Sequence, residues 1–286
     1  MNGLPVNSLP MNGRPVSALP VNALPVNAPP VNAPPVDTQP VNALEVRGLN
    51  KSFGGLRVTA GVELLVGTGE RRLIIGPNGA GKTTLFNLIT GEIRPDAGSI
   101  ALFGENITRL AARRRAHLGL ARTYQIITLF PKETLLRNVT LALLGLSPLR
   151  WNPVVRLDRQ TELTDRARAA LQRVGLQHLA TRPVAQTSYG ERRRIEIAMA
   201  LVQAPKVLLL DEPFAGLSVE ERRDVAALIA TIPRDVTIVM IEHDMDVALE
   251  FAEYITVLHF GEVVVEGTRA EVVEHPRTRE IYLGAA

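Results

Sequence analysis

A glycine-rich segment carries the clearest chemistry in this sequence. Its eight residues match the pattern G-x-x-x-x-G-K-[ST], and Thr84 follows them: Gly76, Pro77, Asn78, Gly79, Ala80, Gly81, Lys82 and Thr83. Successive backbone N–H groups of such a loop face an anion, and the helix that follows adds its positive end. Lys82 would reach the β- and γ-phosphates of a nucleotide, and the Thr83 hydroxyl would bind Mg²⁺. The segment therefore predicts a nucleotide phosphate site.

Two adjacent carboxylates end an apolar run later in the chain. Asp211 and Glu212 follow Val207–Leu210 directly. A buried parallel strand delivers such side chains at its carboxyl end, where ligands bind in open α/β sheets. Asp211 suits Mg²⁺, directly or through water, and Glu212 is placed to polarise or deprotonate an attacking water. The pair predicts hydrolysis of the bound nucleotide.

The elements that must position these residues alternate along the chain. Short apolar runs predict strands, and longer periodic runs predict helices at Lys82–Thr90 and Val219–Ala230. The predicted strands are Leu44–Leu49, Val62–Val66, Arg71–Ile75, Lys206–Leu210, Val236–Ile241, and a hairpin formed by Tyr254–His259 and Glu262–Glu266. Leu135–Ala180 has helical periodicity without strand signals. This order predicts an α/β fold with a helical insertion.

The first 43 residues differ from the rest. From Leu4 to Ala43 the sequence consists of five-residue units with Pro in the second place of each. Proline fixes φ and removes a backbone donor, so this segment predicts an extended or disordered tail. Two interpretations stay open: an expanded repeat without a role, and a docking ligand for an unknown partner.

Composition excludes several classes of protein. There are no cysteines, so disulfide scaffolds, zinc ribbons and thiol nucleophiles are excluded. No apolar run is long enough to cross a membrane, and the N-terminus lacks a secretory signal, which predicts a cytoplasmic protein. With a net charge of +3 and 4 % aromatic residues, nucleic acid is not an expected partner. The arginine triplets Arg113–Arg115 and Arg192–Arg194 are interpreted as solvated helix faces.

From Leu44 to the end, the order of motifs resembles the ATP-binding cassette subunits of ABC transporters. That order is the phosphate loop, a glutamine, a Ser-x-Gly-x segment, the Asp-Glu pair and a late histidine. The resemblance implies that residues 44–286 form one domain: an α/β P-loop NTPase core, a helical subdomain at about 126–203, and an antiparallel β part. It also implies ATP and Mg²⁺ as ligands and ATP hydrolysis as the activity.

The resemblance assigns roles to three further residues. Gln125 corresponds to the glutamine of the family's lid loop, which contacts Mg²⁺ or the attacking water. His243 resembles the switch histidine that contacts the γ-phosphate, and Phe53 resembles the aromatic residue that stacks on adenine. For Phe53, packing in the core is the alternative.

Ser188, Tyr189, Gly190 and Glu191 resemble the family's signature loop, with Arg192–Gln203 as its helix. Tyr189 and Glu191 depart from the commonest form of this loop, usually written LSGGQ. In the family, the signature loop of one cassette closes on the nucleotide of another. The resemblance therefore implies a dimer of this chain with itself or with a sister cassette.

A finer resemblance concerns the transported solute. The segments Gly119–Gln125 and Ser188–Ala198 look like those of branched-chain amino acid importers. This implies permease subunits in the membrane, an indirect link to a solute-binding protein, and a position on the inner face of the cell membrane. The alternatives are a urea or amide importer, a lipopolysaccharide-transport ATPase and a non-transport ABC ATPase.

A groove for the permease is predicted directly after Gln125. The residues there are too apolar for a free loop: Ile126, Ile127, Leu129 and Phe130. Burial inside the helical insertion is the alternative.

Overall fold

The computed structural model of the chain describes residues 42–125, 128–152, 156, 160–243 and 249–283. The predicted tail at residues 1–41 lies outside them. Asn42 and Ala43 correct its boundary, since they begin the first strand and Ala43 is fully buried. Ten strands are described: β1 Asn42–Phe53, β2 Leu56–Gly67, β3 Arg71–Ile75, β4 Ala97–Leu102, β5 Glu105–Asn106, β6 Leu120–Arg122, β7 Val207–Asp211, β8 Thr237–Ile241, β9 Tyr254–His259 and β10 Glu262–Thr268.

The described helices follow the predicted pattern and add short ones. They are α1 Lys82–Thr90, α2 Ala112–His117, α3 Leu135–Leu146, α4 Thr161–Arg173, α5 Tyr189–Leu201, α6 Val219–Ala230, α7 Arg269–Glu274 and α8 Pro276–Leu283. The bounds of α1 and α6 agree with the sequence prediction. Among the described residues, no helix is both long and apolar enough to cross a membrane.

A six-stranded sheet forms the centre of the fold. Its order is β10-β9-β3-β8-β7-β6, and every pair is parallel except β10-β9. All residues of β3, β7 and β8 are buried. Continuous apolar runs form such strands because both faces of the sheet are covered. The carboxyl ends of β3 and β7 therefore bring the phosphate loop and the Asp-Glu pair to one edge.

A second, antiparallel sheet has the order β2-β1-β4-β5. Its buried side chains share an apolar core with one side of α1, through residues such as Val46, Ile100 and Phe86. β1 and β2 extend well beyond their predicted apolar runs because the two strands pair along almost their whole length. This sheet is the predicted antiparallel part.

The helical insertion lies between β6 and β7. In the part of it that the structure describes, α3 and α4 pack on each other and on α5. Their apolar side chains join those of the parallel sheet in a second core, through residues such as Val139, Leu171 and Ile195. The absence of strand signals in Leu135–Ala180 thus predicted the class of this segment correctly.

Arg115 corrects the interpretation of the first arginine triplet. Its side chain is 1 % exposed and donates to the carbonyl oxygens of Leu88 and Ile89 at 2.7 and 2.6 Å. It also donates to the carbonyls of Thr108 and Leu110, both at 2.9 Å. The last carbonyls of a helix lack intrahelical partners. Arg115 supplies partners at the end of α1, so it is a structural cation and not part of a solvated face.

Candidate nucleotide-binding and catalytic site

The phosphate loop connects β3 to α1. A Cβ atom on Gly76 would meet the carbonyl oxygen of Leu258, and one on Gly81 would lie 2.5 Å from the carbonyl oxygen of Val58. These two positions need glycine because neighbouring backbone passes so close to the loop. The loop is therefore held between β9 and β2, with its N–H groups at the start of α1.

The phosphate loop forms the floor of a cleft of about 240 Å³. The cleft is lined by Val58, Asn78, Gly79, Ala80, Gly81, Lys82, Thr83, Thr84, Gln125 and Glu212. The amine of Lys82 donates to the carbonyl oxygens of Gly76 at 2.5 Å and of Pro77 at 3.1 Å. Burial lowers the pKa of Lys82, and the nearby Glu212 and Asp211 carboxylates oppose that change. The loop thus presents a cation to the cleft.

Asp211 ends β7 with its side chain buried, 1 % exposed. One carboxylate oxygen, Oδ2, accepts a hydrogen bond from Arg122 at 2.7 Å. The other, Oδ1, is buried with no hydrogen-bond partner. Burial raises the pKa of Asp211, and the Arg122 guanidinium counteracts this. Because an unpartnered buried oxygen is costly, this carboxylate fits a site for a divalent cation, although Asp211 itself does not line the cleft.

Glu212 follows Asp211 with a positive φ of 47°. Left-handed backbone is unfavourable for a side chain with a Cβ atom and often marks a functional position. Its Oε2 accepts a hydrogen bond from Gln125 Nε2 at 2.9 Å and lies 3.6 Å from His243 Nδ1. The structure therefore brings the three predicted catalytic residues together; Gln125 and Glu212 line the cleft, and His243 lies next to Glu212 outside that lining.

The predicted signature loop lies outside the lining of this cleft. Ser188 caps α5, with its hydroxyl accepting from the Glu191 N–H at 3.1 Å and the Glu191 carboxylate accepting from the Ser188 N–H at 2.7 Å. Because of this capping box, α5 begins at Tyr189. The predicted helix start at Arg192 is therefore wrong, although the S-x-x-E pattern at Ser188 could have revealed it.

Two aromatic residues of the sequence analysis lie at the surface. Phe53 ends β1 and is 48 % exposed, so the alternative of core packing is wrong. Its ring is 5.4 Å from the Lys51 amine, and it does not line the cleft. Phe130 is 57 % exposed, so burial inside the insertion is wrong for it, whereas Leu129 packs on the core. The predictions for Ile126 and Ile127 fall outside the described residues.

Sequence reasoning missed a buried ion pair on α5. Arg193 donates to Glu196 Oε2 at 2.7 Å and to the Tyr124 carbonyl at 2.8 Å. The Tyr124 N–H in turn donates to Glu196 Oε1 at 2.8 Å. Arg193 is fully buried, so the solvated-face interpretation of its triplet is wrong for this residue. The i, i+3 charge pair was the only local signal.

The sequence is similar to proteins of a known family. The sequence profile of the family described as ABC transporter matches residues 59–215. The chain is 38 % identical over 251 residues to the high-affinity branched-chain amino acid transport ATP-binding protein BraF of Pseudomonas aeruginosa, covering 85 % of this chain and 98 % of BraF.

Two solved structures resemble the fold. One is a nucleotide-free ATP-binding cassette from an ABC transporter, with TM-score 0.77, 29 % identity, and coverage of 85 % of this chain and all of that one. The other is a dimeric cassette, MJ0796, in a post-hydrolysis state bound to ADP and Pi, with TM-score 0.68, 26 % identity, and coverage of 79 % and 98 %.

A parallel sheet with a phosphate loop, an Asp-Glu pair and a helical insertion defines a P-loop ATPase of cassette type. The chain belongs to the ABC transporter family, as one of its ATP-binding, ATP-hydrolysing subunits.

Proposed function

We propose that this chain powers uptake of branched-chain or other hydrophobic amino acids by hydrolysing ATP beside a separate membrane permease. The observation that carries the mechanism is the contact of Gln125 with Glu212 over the phosphate loop. The observation that favours the solute is the 38 % identity to BraF over nearly all of BraF. Urea or amide import and lipopolysaccharide transport are the alternatives.

Binding of ATP begins at the phosphate loop. The Lys82 amine exchanges its two carbonyl partners for oxygens of the β- and γ-phosphates. Backbone N–H groups from Asn78 to Thr84 and the positive end of α1 hold the remaining charge. Phe53, at the surface beyond the cleft, stacks on the adenine.

Mg²⁺ fits the residues around Asp211. Asp211 Oδ1, the Thr83 hydroxyl and the Gln125 side-chain oxygen are the hard ligands that this ion prefers. An Mg²⁺ ion held by these residues would supply positive charge that neutralises the phosphates. Arg122 holds Oδ2 of Asp211, which leaves Oδ1 without a hydrogen-bond partner in the protein.

Glu212 is the general base of the reaction. Its carboxylate accepts a proton from the water whose oxygen bonds to the γ-phosphorus, while the bond to the bridging β-phosphate oxygen breaks and ADP leaves. Gln125 fixes the carboxylate by donating to Oε2, and His243, 3.6 Å from the same oxygen, contacts the γ-phosphate.

The second half of each site comes from another cassette. Ser188, Tyr189, Gly190 and Glu191 present a helix N-terminus, which suits the γ-phosphate of ATP held by a second copy or a sister subunit. ATP closes this dimer and hydrolysis reopens it. The permease converts the cycle into movement of a solute that a separate solute-binding protein delivers, and it holds the cassettes at the inner face of the cell membrane.

The permease contacts the loop that carries Phe130. Asn138, fully buried in α3, accepts from the Phe130 N–H at 2.8 Å and donates to the Phe130 carbonyl at 3.2 Å. This pair of hydrogen bonds fixes the backbone while the aromatic ring stays exposed. A rigid loop with an exposed ring is suited to anchoring a partner.

The test is reconstitution of the full chain in liposomes with its permease subunits and solute-binding protein. ATP-dependent uptake of labelled leucine, with no uptake of labelled urea, is expected. Uptake of urea alone would establish the alternative importer.

Phe130→Ala should reduce co-purification with the permease at least tenfold while ATP binding stays unchanged. Val273→Ala, which truncates an exposed apolar side chain on α7, is the matched control. Loss of ATP binding in Phe130→Ala would contradict the proposed interface.

A further inference from the structure

The hydrogen-bond donors of the signature loop are already occupied by a carboxylate from the same chain. Glu221, in the first turn of α6, accepts from the Ser188 hydroxyl at 3.2 Å and from the Gly190 N–H at 2.9 Å. Both bonds go to a single oxygen, Oε1. An anion is thus bound where the N-terminus of α5 offers its unpaired donors.

The second oxygen of Glu221 stays on its own helix. Oε2 accepts from the Ser218 N–H at 3.0 Å, and the Ser218 hydroxyl accepts from the Glu221 N–H at 3.3 Å. Glu221 therefore belongs to the capping box of α6 and, through Oε1, also reaches α5. Hydrogen bonds from the backbone of Ser218 and of Gly190 lower the pKa of Glu221, so the group is an anion at neutral pH.

Two glycines allow the close packing between the signature loop and the segment before α6. A Cβ atom on Gly190 would lie 2.6 Å from Glu221 Oε1, so any larger residue would displace the carboxylate from its present position. The ring of Tyr189 packs toward Gly216, where a Cβ atom would be 3.3 Å from the ring. The signature loop is thus packed against the segment that leads from Glu212 to Ser218.

We propose that Glu221 is an internal stand-in for the γ-phosphate, which occupies the signature loop until ATP of a second cassette displaces it. The inference rests on the proposed role of Ser188 and Gly190 in binding that phosphate across a dimer. A phosphate and a carboxylate repel each other and cannot share the same two donors. Closure therefore requires Oε1 to withdraw, while Oε2 keeps its bond to Ser218.

Glu221 thus links two parts of one subunit, the signature loop and the loop that follows Glu212. Ser218 lies six residues after Glu212 and ends the loop that follows it. When phosphate replaces Oε1, the hydrogen bonds from Ser188 and Gly190 to the start of α6 are lost. Binding of ATP by the partner cassette thereby releases the start of α6, and the loop that connects Glu212 to Ser218, from the signature loop.

The test measures how much ATP is needed for dimer formation, in the Glu212→Gln background that prevents hydrolysis. Glu221→Gln removes the charge and keeps the capping box, because Gln serves at this position as Glu does. Two charges 4 Å apart in water change an equilibrium about fivefold, and more where the site is partly desolvated. The half-maximal ATP concentration should therefore fall at least about fivefold in size-exclusion chromatography or light scattering.

Two further variants sharpen the result. Glu221→Asp keeps the charge but shortens the side chain by one methylene, so it releases Gly190 and should also lower the ATP requirement. Glu220→Gln, the exposed neighbour on α6, changes the net charge equally without touching the loop and should leave the requirement unchanged.

An unchanged or higher ATP requirement in Glu221→Gln, with thermal stability retained, would overturn the proposal and make Glu221 a supporting residue of the loop. That outcome leaves the proposed dimer intact, because the Glu212→Gln parent still closes. A second outcome would reject more. If the Glu212→Gln parent binds ATP but forms no cassette dimer, even with a sister cassette and the permease present, the cross-dimer role of the signature loop and the Glu221 proposal both fail.

Discussion

Replacing Glu212 by Gln is the sharpest test of the catalytic assignment. The amide keeps one oxygen to accept from Gln125 Nε2, which lies 2.9 Å from the carboxylate, so the cleft should keep its shape. The φ of 47° is unaffected because both residues carry a Cβ atom. What the variant loses is the ability to take the proton of the attacking water.

General-base assistance contributes about 10² to 10⁴ in rate, which corresponds to about 3–5 kcal/mol of barrier. The turnover rate of Glu212→Gln should therefore fall by at least two orders of magnitude, while the ATP concentration for half-maximal binding changes less than about threefold. Phosphate release at saturating Mg-ATP measures the first quantity, and equilibrium binding of labelled ATP measures the second.

Glu274→Gln, an exposed acid on α7, is the matched control for the loss of one negative charge. A Glu212→Gln protein that hydrolyses ATP at the parent rate would refute the assignment of the base. A protein that loses ATP binding and hydrolysis together would instead show that the Glu212 carboxylate acts in substrate binding.

The remaining predictions concern two basic side chains, Lys82 in the cleft and Arg115 in the core. Lys82→Ala should weaken ATP binding about tenfold or more in calorimetry, because a charge-assisted contact with phosphate is lost; unchanged affinity would remove Lys82 from the phosphate site. Arg115→Met should lose about 3 kcal/mol of stability, since it leaves the carbonyls of Leu88 and Ile89 unpaired, and should lower the melting temperature by about 6–12 °C. Arg113→Met, the exposed control, should shift it by less than about 2 °C, and an equal loss in both variants would contradict the structural role of Arg115.

The elements with strong local signals were predictable from the sequence. The bounds of α1, α6, β3 and β9 agree with those expected from apolar runs and flanking turn residues. Such signals suffice here because a short run rich in β-branched and aliphatic residues indicates a buried strand, even though β3 begins with two arginines, and a longer periodic run indicates a helix. The phosphate loop was predictable for the same reason, since all its chemistry lies in one continuous segment.

Side chains whose role depends on distant backbone were not predictable. Arg115 and Arg193 each stand in an arginine triplet, and nothing in the triplets distinguishes them from solvated neighbours. Burial of an arginine requires several acceptors that arrive from elsewhere in the fold. For Arg115 these are carbonyls at the end of α1, which sequence periodicity does not associate with α2.

Contacts between motifs were harder to predict than the motifs themselves. Gln125 and Glu212 are 87 residues apart, yet the two meet in the cleft. The S-x-x-E patterns at Ser188 and Ser218 could have marked the starts of α5 and α6, but not the reach of Glu221 from one helix to the other. A capping box is a local property, whereas that second contact depends on how the helices pack.

The segment that ends β6 explains how these distant motifs act together. Arg122 holds Asp211 on β7, the backbone of Tyr124 is held on both sides by the ion pair of α5, and Gln125 reaches Glu212. Three residues of one short segment thus contact Asp211, the helix that begins at the predicted signature loop, and Glu212. Arg193 and Glu196 form hydrogen bonds with main-chain atoms of Tyr124, so we expect a shift of α5 to move this segment as well. We therefore expect displacement at the predicted signature loop to shift Gln125 relative to the phosphate loop.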